Sequence, residues 1–161
     1  MPVTPLPATK RFIRPGVTEV RFVPTAVNYN ALTLAELDAG TALEGQVADV
    51  SGWTVTSNLV ETPDWGSRFT AKVTGMISAD DSSITFWMSS DAQDVRTVLP
   101  RDTTGYVVWM DGGETAGGVM DVFPVTVSTL GKLRTTSDPA QIEISFAITS
   151  EPSEDQTIPT T

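Results

Sequence analysis

Asp80 and Asp81 are adjacent carboxylates, and paired carboxylates can divide general-acid and general-base work between them. They fall between two strand-like runs, where neighbouring acids read as a solvated hairpin tip. Asp111-Gly112-Gly113-Glu114-Thr115-Ala116-Gly117-Gly118 is glycine-rich, and such loops can cradle phosphate on backbone N–H groups. It contains no Lys and no GK[ST], and strand-like rather than helical sequence flanks it, so a flexible hairpin loop accounts for it. No D-x-[DN]-x-[DN]-G calcium spacing and no G-x-S-x-G elbow occurs. The chain has neither histidine nor cysteine. That removes a thiol nucleophile, an imidazole base, disulfides and zinc sites built from those ligands. Serine and threonine are plentiful but lack an evident activator. No catalytic residue, metal or cofactor is expected, and the chain reads as non-enzymatic.

Four tryptophans, Trp53, Trp65, Trp87 and Trp109, offer a binding chemistry instead, since a β-sandwich can stack sugars on exposed aromatics. Trp87 and Trp109 fall on strands and are expected to pack against a helix or a partner chain. Trp53, and above all Trp65 in the turn Pro63-Asp64-Trp65-Gly66, are the candidates for exposure. A large apolar group at a loop tip more often marks a protein interface than a sugar site.

The elements that would position these groups read as strands. Phe69, Ala71, Val73 and Ile77 alternate with polar residues in 68–77, and Ile142, Ile144, Phe146 and Ile148 do so in 141–149. Ile84, Phe86 and Met88 share one side of 83–89, and Val119, Phe123, Val125 and Val127 one side of 118–129. The run 106–110 is apolar on both faces, as a central strand should be. Weaker strands are expected over 18–23 and 46–60, the second broken at Ser51-Gly52. Thr33 and Glu36 have capping-box spacing, with Gly40 placed for a left-handed helix cap. A second short helix is expected from Ser90 or Asp91 to the residue before Pro100, with Ala92, Val95 and Leu99 as its apolar stripe. Together these predict a mainly β protein. The expected fold is an antiparallel β-sandwich or barrel of about seven to eight strands with one or two short flanking α-helices.

The 161 residues suit one domain, and a 40% apolar fraction permits a core. An extended basic N-terminal arm with the first strand is expected over 1–24, a β-sandwich domain over 25–150, and a polar, loosely ordered tail over 151–161. The seven residues from Met1 contain three prolines and no apolar run, unlike a signal peptide or membrane helix. Twenty acids against ten bases leave −10 overall, but Lys10, Arg11, Arg14 and Arg21 face only Glu19 up to residue 21. The molecule is therefore polar in charge, with an acidic body and a basic arm. Such a body is poorly made to grip a polyanion, because that grip comes from Lys and Arg.

The order of these elements resembles the major tail tube protein of long-tailed, siphovirus-type phages of actinobacteria. The resemblance is carried by Leu34-Ala35-Glu36-Leu37-Asp38-Ala39-Gly40-Thr41-Ala42-Leu43, by Phe86-Trp87, and by Leu99-Pro100-Arg101-Asp102-Thr103-Thr104-Gly105-Tyr106-Val107-Val108-Trp109. Asp121-Val122-Phe123-Pro124-Val125-Thr126-Val127 and Ser145-Phe146-Ala147-Ile148-Thr149-Ser150-Glu151-Pro152 complete it. It covers roughly Thr25 to the C-terminus. It implies hexameric rings stacked into a tube for genome passage, with strands of every copy joined in one barrel around the channel. It implies as partners other copies, the tape-measure protein, the tail terminator and baseplate or distal tail proteins, with double-stranded DNA passing without sticking and no membrane contact. The expected location is the virion tail, after assembly in the host cytoplasm. Glu143, Gln141, Ser145, Asp49 and Glu61 are the candidates for a lumen that repels DNA. Trp65, Asp64 and Arg68, with Arg11 and Arg14 of the arm, are the candidates for ring-to-ring contact. Other ring-forming virion β-proteins (a tail terminator or a head-decoration subunit) and a carbohydrate-binding sandwich are the alternatives.

Overall fold

Period-two alternation of β-branched and aromatic residues with polar ones builds sheets with one face buried, and the computed structural model, which describes residues 2–160, is mainly β. Its strands are β1 (Glu19–Val23), β2 (Thr41–Ala42), β3 (Val47–Ser51), β4 (Val55–Thr62), β5 (Ala71–Ala79) and β6 (Ser82–Trp87). They continue with β7 (Thr104–Met110), β8 (Val119–Leu133), β9 (Gln141–Ile148) and β10 (Ser153–Thr157). Helix α1 (Leu34–Asp38) is accompanied by short 3₁₀ turns at Glu44–Gln46 and Val95–Thr97.

An antiparallel sheet runs β2-β1-β7-β8-β9-β6-β3, with β10 added on β8. Strand β8 is its spine. Residues Asp121–Thr126 pair with β7, while Val125–Leu133 pair with β9, and Val119, Met120 and Val122 with β10. A register shift between Val127 and Thr129 lets this long strand serve both halves.

The two faces of the central strands feed two apolar layers. Phe22, Val107, Phe123 and Val125 enter the larger one with Ile84, Phe86, Ile142, Ile144 and Phe146. Val23, Val108, Met120 and Val122 face the other way, beneath Leu37 of α1, Leu32 and Ile158. Strand β7 is therefore apolar on both sides, as its sequence requires.

Helix α1 starts with the expected capping box: the Glu36 N–H donates to Thr33 Oγ1 (3.3 Å), and the Thr33 N–H to Glu36 Oε2 (2.9 Å). Its C-terminus departs from expectation, because Ala39 is the cap and keeps a right-handed conformation. Gly40 instead permits close approach: a Cβ there would lie 3.0 Å from Leu37 O and 3.1 Å from Val23 Cγ2. The second expected helix is reduced to the turn Val95–Thr97. Ala92 takes a left-handed conformation at φ 62°, which interrupts helical hydrogen bonding before it starts. Val95 and Leu99 are buried all the same. The C-terminal tail is also more ordered than its composition suggests, since β10 pairs with β8 and Ile158 is buried.

Strands β4 and β5 form a separate two-stranded sheet. Alternation in 68–77 is present, yet its apolar residues are not covered by the chain's own core.

Candidate functional site

Two surfaces gather the polar and aromatic residues singled out in the sequence. The first is the outward face of β3, β6, β9 and β8. Burying Ile142, Ile144 and Phe146 turns Gln141, Glu143 and Ser145 to the opposite side of β9. Pairing then aligns them with neighbours. Asp49, Thr85, Glu143 and Gly131 form one row, and Ser51, Ser83, Ser145 and Thr129 the next. A third row holds Trp87, Gln141 and Leu133. These rows carry two carboxylates and no lysine or arginine. Asp49, Gln141, Glu143 and Ser145 thus share one face. Glu61 lies apart on β4, with Lys72 Nζ 3.3 Å from its carboxylate.

The second surface is the β4–β5 hairpin. Register places Val55, Ser57, Leu59 and Glu61 with Ala79, Ile77, Thr74 and Lys72 on one face, and Val60 beside Val73 on the other. Leu59, Val60, Val73 and Ile77 are each more than half exposed, and Met76 is 84% exposed, so apolar groups are bare on both sides. The tip carries Asp64, Trp65 and Arg68. Asp64 Oδ1 accepts the Gly66 N–H at 2.8 Å, a local turn that holds the tip in shape. Trp65 is fully exposed, and Phe69, four residues on, is 78% exposed. Arg11 and Arg14 lie elsewhere, on the exposed N-terminal arm. Arg14 is ion-paired with Asp111.

Of the remaining tryptophans, Trp109 packs on its strand as expected, and Trp53 departs from expectation. Trp53 is folded inward, edge-on to Trp109 and Phe123 and tilted against Phe146. Its N–H donates to Ser82 Oγ (2.9 Å) and its Nε1–H to Ser83 O (3.3 Å). Gly52 and Trp53 both have positive φ, 83° and 66°, and this reversal carries the indole back over the core. Trp87 is 41% exposed at the end of the polar face.

Sequence reasoning missed the loop that braces the polar face from behind. Buried Asp94 receives Arg96 in a two-pronged pair, with Nε to Oδ1 at 2.8 Å and Nη2 to Oδ2 at 2.7 Å. The Ser89 N–H also donates to Oδ2 (2.9 Å). The Arg96 bonds hold the Asp94 carboxyl well below the ordinary carboxylate range, at about 2, against the opposing effect of burial. The Asp–x–Arg spacing was its only trace in the sequence.

A profile of the phage tail tube protein family matches residues 6–161, nearly the whole chain. The chain belongs to the phage tail tube protein family. This tail tube protein is therefore a structural component of the virion tail, and it shares its fold with parts of contractile injection systems. One similar structure is described as the sheath/tube terminator of the PVC extracellular contractile injection system in its extended state. The two share 11% identity at a TM-score of 0.61, over 90% of this chain and 97% of that one. Another is a chain of the anti-feeding prophage (AFP) baseplate, described as 6-fold symmetrised, at 12% identity and a TM-score of 0.55, over 91% and 95%. No match was found among curated proteins. Among the described residues no helix is long and apolar enough to cross a membrane.

Proposed function

We propose that this tail tube protein polymerises as stacked hexameric rings into the tail tube of a long-tailed actinobacteriophage, and that the channel it encloses is acidic and passes the genome. Family membership supports the reading, and the observation that carries it is the bare β4–β5 hairpin. An isolated two-stranded sheet is at best marginally stable in water, and one with apolar residues on both faces needs cover on both. Other copies of the chain supply that cover. The hairpin tip, with Trp65 as anchor and Asp64 and Arg68 fixing register, contacts the adjacent ring, aided by Arg11 and Arg14 of the arm. Charges at such a rim govern rate and orientation more than affinity.

The face bearing Asp49, Gln141, Glu143 and Ser145 lines the lumen. Duplex DNA carries one charge per ~1.7 Å of axis, so a wall with carboxylates and no cations repels it and lets it slide. The chain has no catalytic part in this; its work is assembly and guidance. Its partners are further copies, the tape-measure protein, the tail terminator and the baseplate or distal tail proteins, all meeting in the host cytoplasm.

A terminator or head-decoration subunit with this fold would close a ring without stacking, and a sugar-binding sandwich would stay monomeric. Negative-stain microscopy of the purified protein, alone and mixed with its tape-measure protein, separates them. Long hollow rods are expected; discrete rings or featureless small particles would overturn the reading.

A further inference from the structure

Beyond Val55 and Ala79, every residue of β4 and β5 is exposed. The hairpin therefore stands off the body and is held at its root. On one side of that root is an open hollow of about 330 Å³, lined by Val55, Ile77 and Ala79 of the hairpin and by residues 148–152 of the body. Space of that size leaves the hairpin room to swing.

The other side is closed by a hydrogen-bonded cycle that ties the outgoing chain at 52–54 to the returning chain at 80–82. The Trp53 N–H donates to Ser82 Oγ (2.9 Å), and the Ser82 hydroxyl donates in turn to Asp80 O (3.0 Å). The Asp80 N–H donates to Thr54 O (3.1 Å), and Thr54 Oγ1 donates to the Asp80 carboxylate. Ser82 is buried, and its one hydroxyl serves both segments, as acceptor and as donor. The segments cross so closely that a Cβ on Gly52 would lie 2.6 Å from Asp81 O. Trp53 gives this cycle its hold on the body. Its indole packs on Trp109, Phe123 and Phe146, and its Nε1–H donates to Ser83 O. A tryptophan at φ 66° is strained, and such a backbone persists only where its surroundings over-determine it. The indole seat and the Ser82 bond do so here.

The angle at the root matters because the hairpin is long. An eight-residue strand makes a lever of roughly 25 Å, so a swing of about 20° moves the tip by roughly 9 Å. Preorganised interfaces shift by only about 1 Å on binding. We infer that Trp53 and Ser82 are positioning residues for assembly: the seated indole and the shared hydroxyl fix the angle at which the β4–β5 hairpin meets neighbouring copies. Without them the hairpin keeps its own ladder but samples many directions, and few of those are productive. The role rests on the self-assembly reading above, within which it names what aims the hairpin.

Because the chain lacks cysteine, nitroxide labels on Thr70→Cys near the tip and Lys132→Cys on β8, both exposed positions, report the hairpin's direction in the unassembled full chain. Pulsed electron resonance should give one narrow distance distribution. Ser82→Ala removes the shared hydroxyl, and Trp53→Gly removes the indole while tolerating the left-handed backbone. Each should broaden the distribution by several ångströms. Without labels, each should slow rod formation at least tenfold by light scattering, at temperatures where thermal melts show the variant folded. Ser82→Ala decides alone if Trp53→Gly does not fold. Val108→Ala trims the opposite apolar layer, away from the root, and should leave both the distribution and the rate unchanged. A narrow distribution in Ser82→Ala, or a Val108→Ala chain slowed as much, would overturn the inference. Rods formed by Ser82→Ala at the wild-type rate would refute it while leaving the tube intact. A narrow wild-type distribution that Ser82→Ala broadens, in a chain that never forms rods, would refute the tube and keep the lock at the root.

Discussion

Asp49 and Glu143 stand on either side of Thr85 in a single row across β3, β6 and β9, two carboxylates on a face free of cations. Replacing both by lysine reverses the charge of that row and leaves the buried side of each strand untouched. Assembled Asp49→Lys/Glu143→Lys protein should retain duplex DNA at low salt, with retention lost steeply as salt rises. Wild-type assemblies should retain none. Equal behaviour of the two in a DNA-retention assay would place this row away from the channel.

Trp65→Ala removes a fully exposed side chain, so the folded monomer should change in stability by less than about 0.5 kcal/mol. Assembly should fail, because the hairpin tip loses its anchor. Thermal melts of the monomer paired with microscopy check both halves. Rods of normal length from the variant would show that Trp65 anchors nothing.

Alternation alone made β6 and β9 legible: Ile84 and Phe86, Ile142 and Ile144 are buried as their spacing requires. The same signal in 68–77 correctly marked β5 but not what covers it, because alternation records that a face is apolar and not whose surface meets it. The polar face followed from β9 by period; Asp49 joined it only through pairing to β6, and Glu61 fell away once β4 left the main sheet. Strand β10 has no apolar residue of its own to betray it, and backbone pairing with β8 and the single anchor Ile158 order it. Trp53 was hidden for a different reason. Its exposure depends on the left-handed backbone at Gly52 and Trp53, a local reversal that serves contacts with residues far along the chain.

Arg11→Gln/Arg14→Gln should slow polymerisation at low salt while the monomer keeps its fold, since both side chains lie on the exposed arm. Light scattering follows the rate. The difference from wild type should shrink as salt screens the attraction. An unchanged low-salt rate would remove the arm's charge from the assembly pathway.

Asp94 makes a sharper pH prediction. Its carboxyl is lowered to about 2 by Arg96, so its stabilising contribution is complete above the ordinary carboxylate range and is lost as pH falls through about 2. At neutral pH Asp94→Asn should cost on the order of 2 kcal/mol, from the size of that shift. Denaturant unfolding at successive pH values should show the gap between wild type and variant closing from about pH 4 downward. A gap independent of pH would mean that the pair with Arg96 is not what holds the loop.

Cryo-electron microscopy of the assembled protein tests the tube most directly. The expected result is stacked six-fold rings around an open channel, with the Asp49–Thr85–Glu143 row facing inward and the β4–β5 hairpin covered by neighbouring copies. Discrete unstacked particles, or a tube with that row on its outer surface, would contradict it.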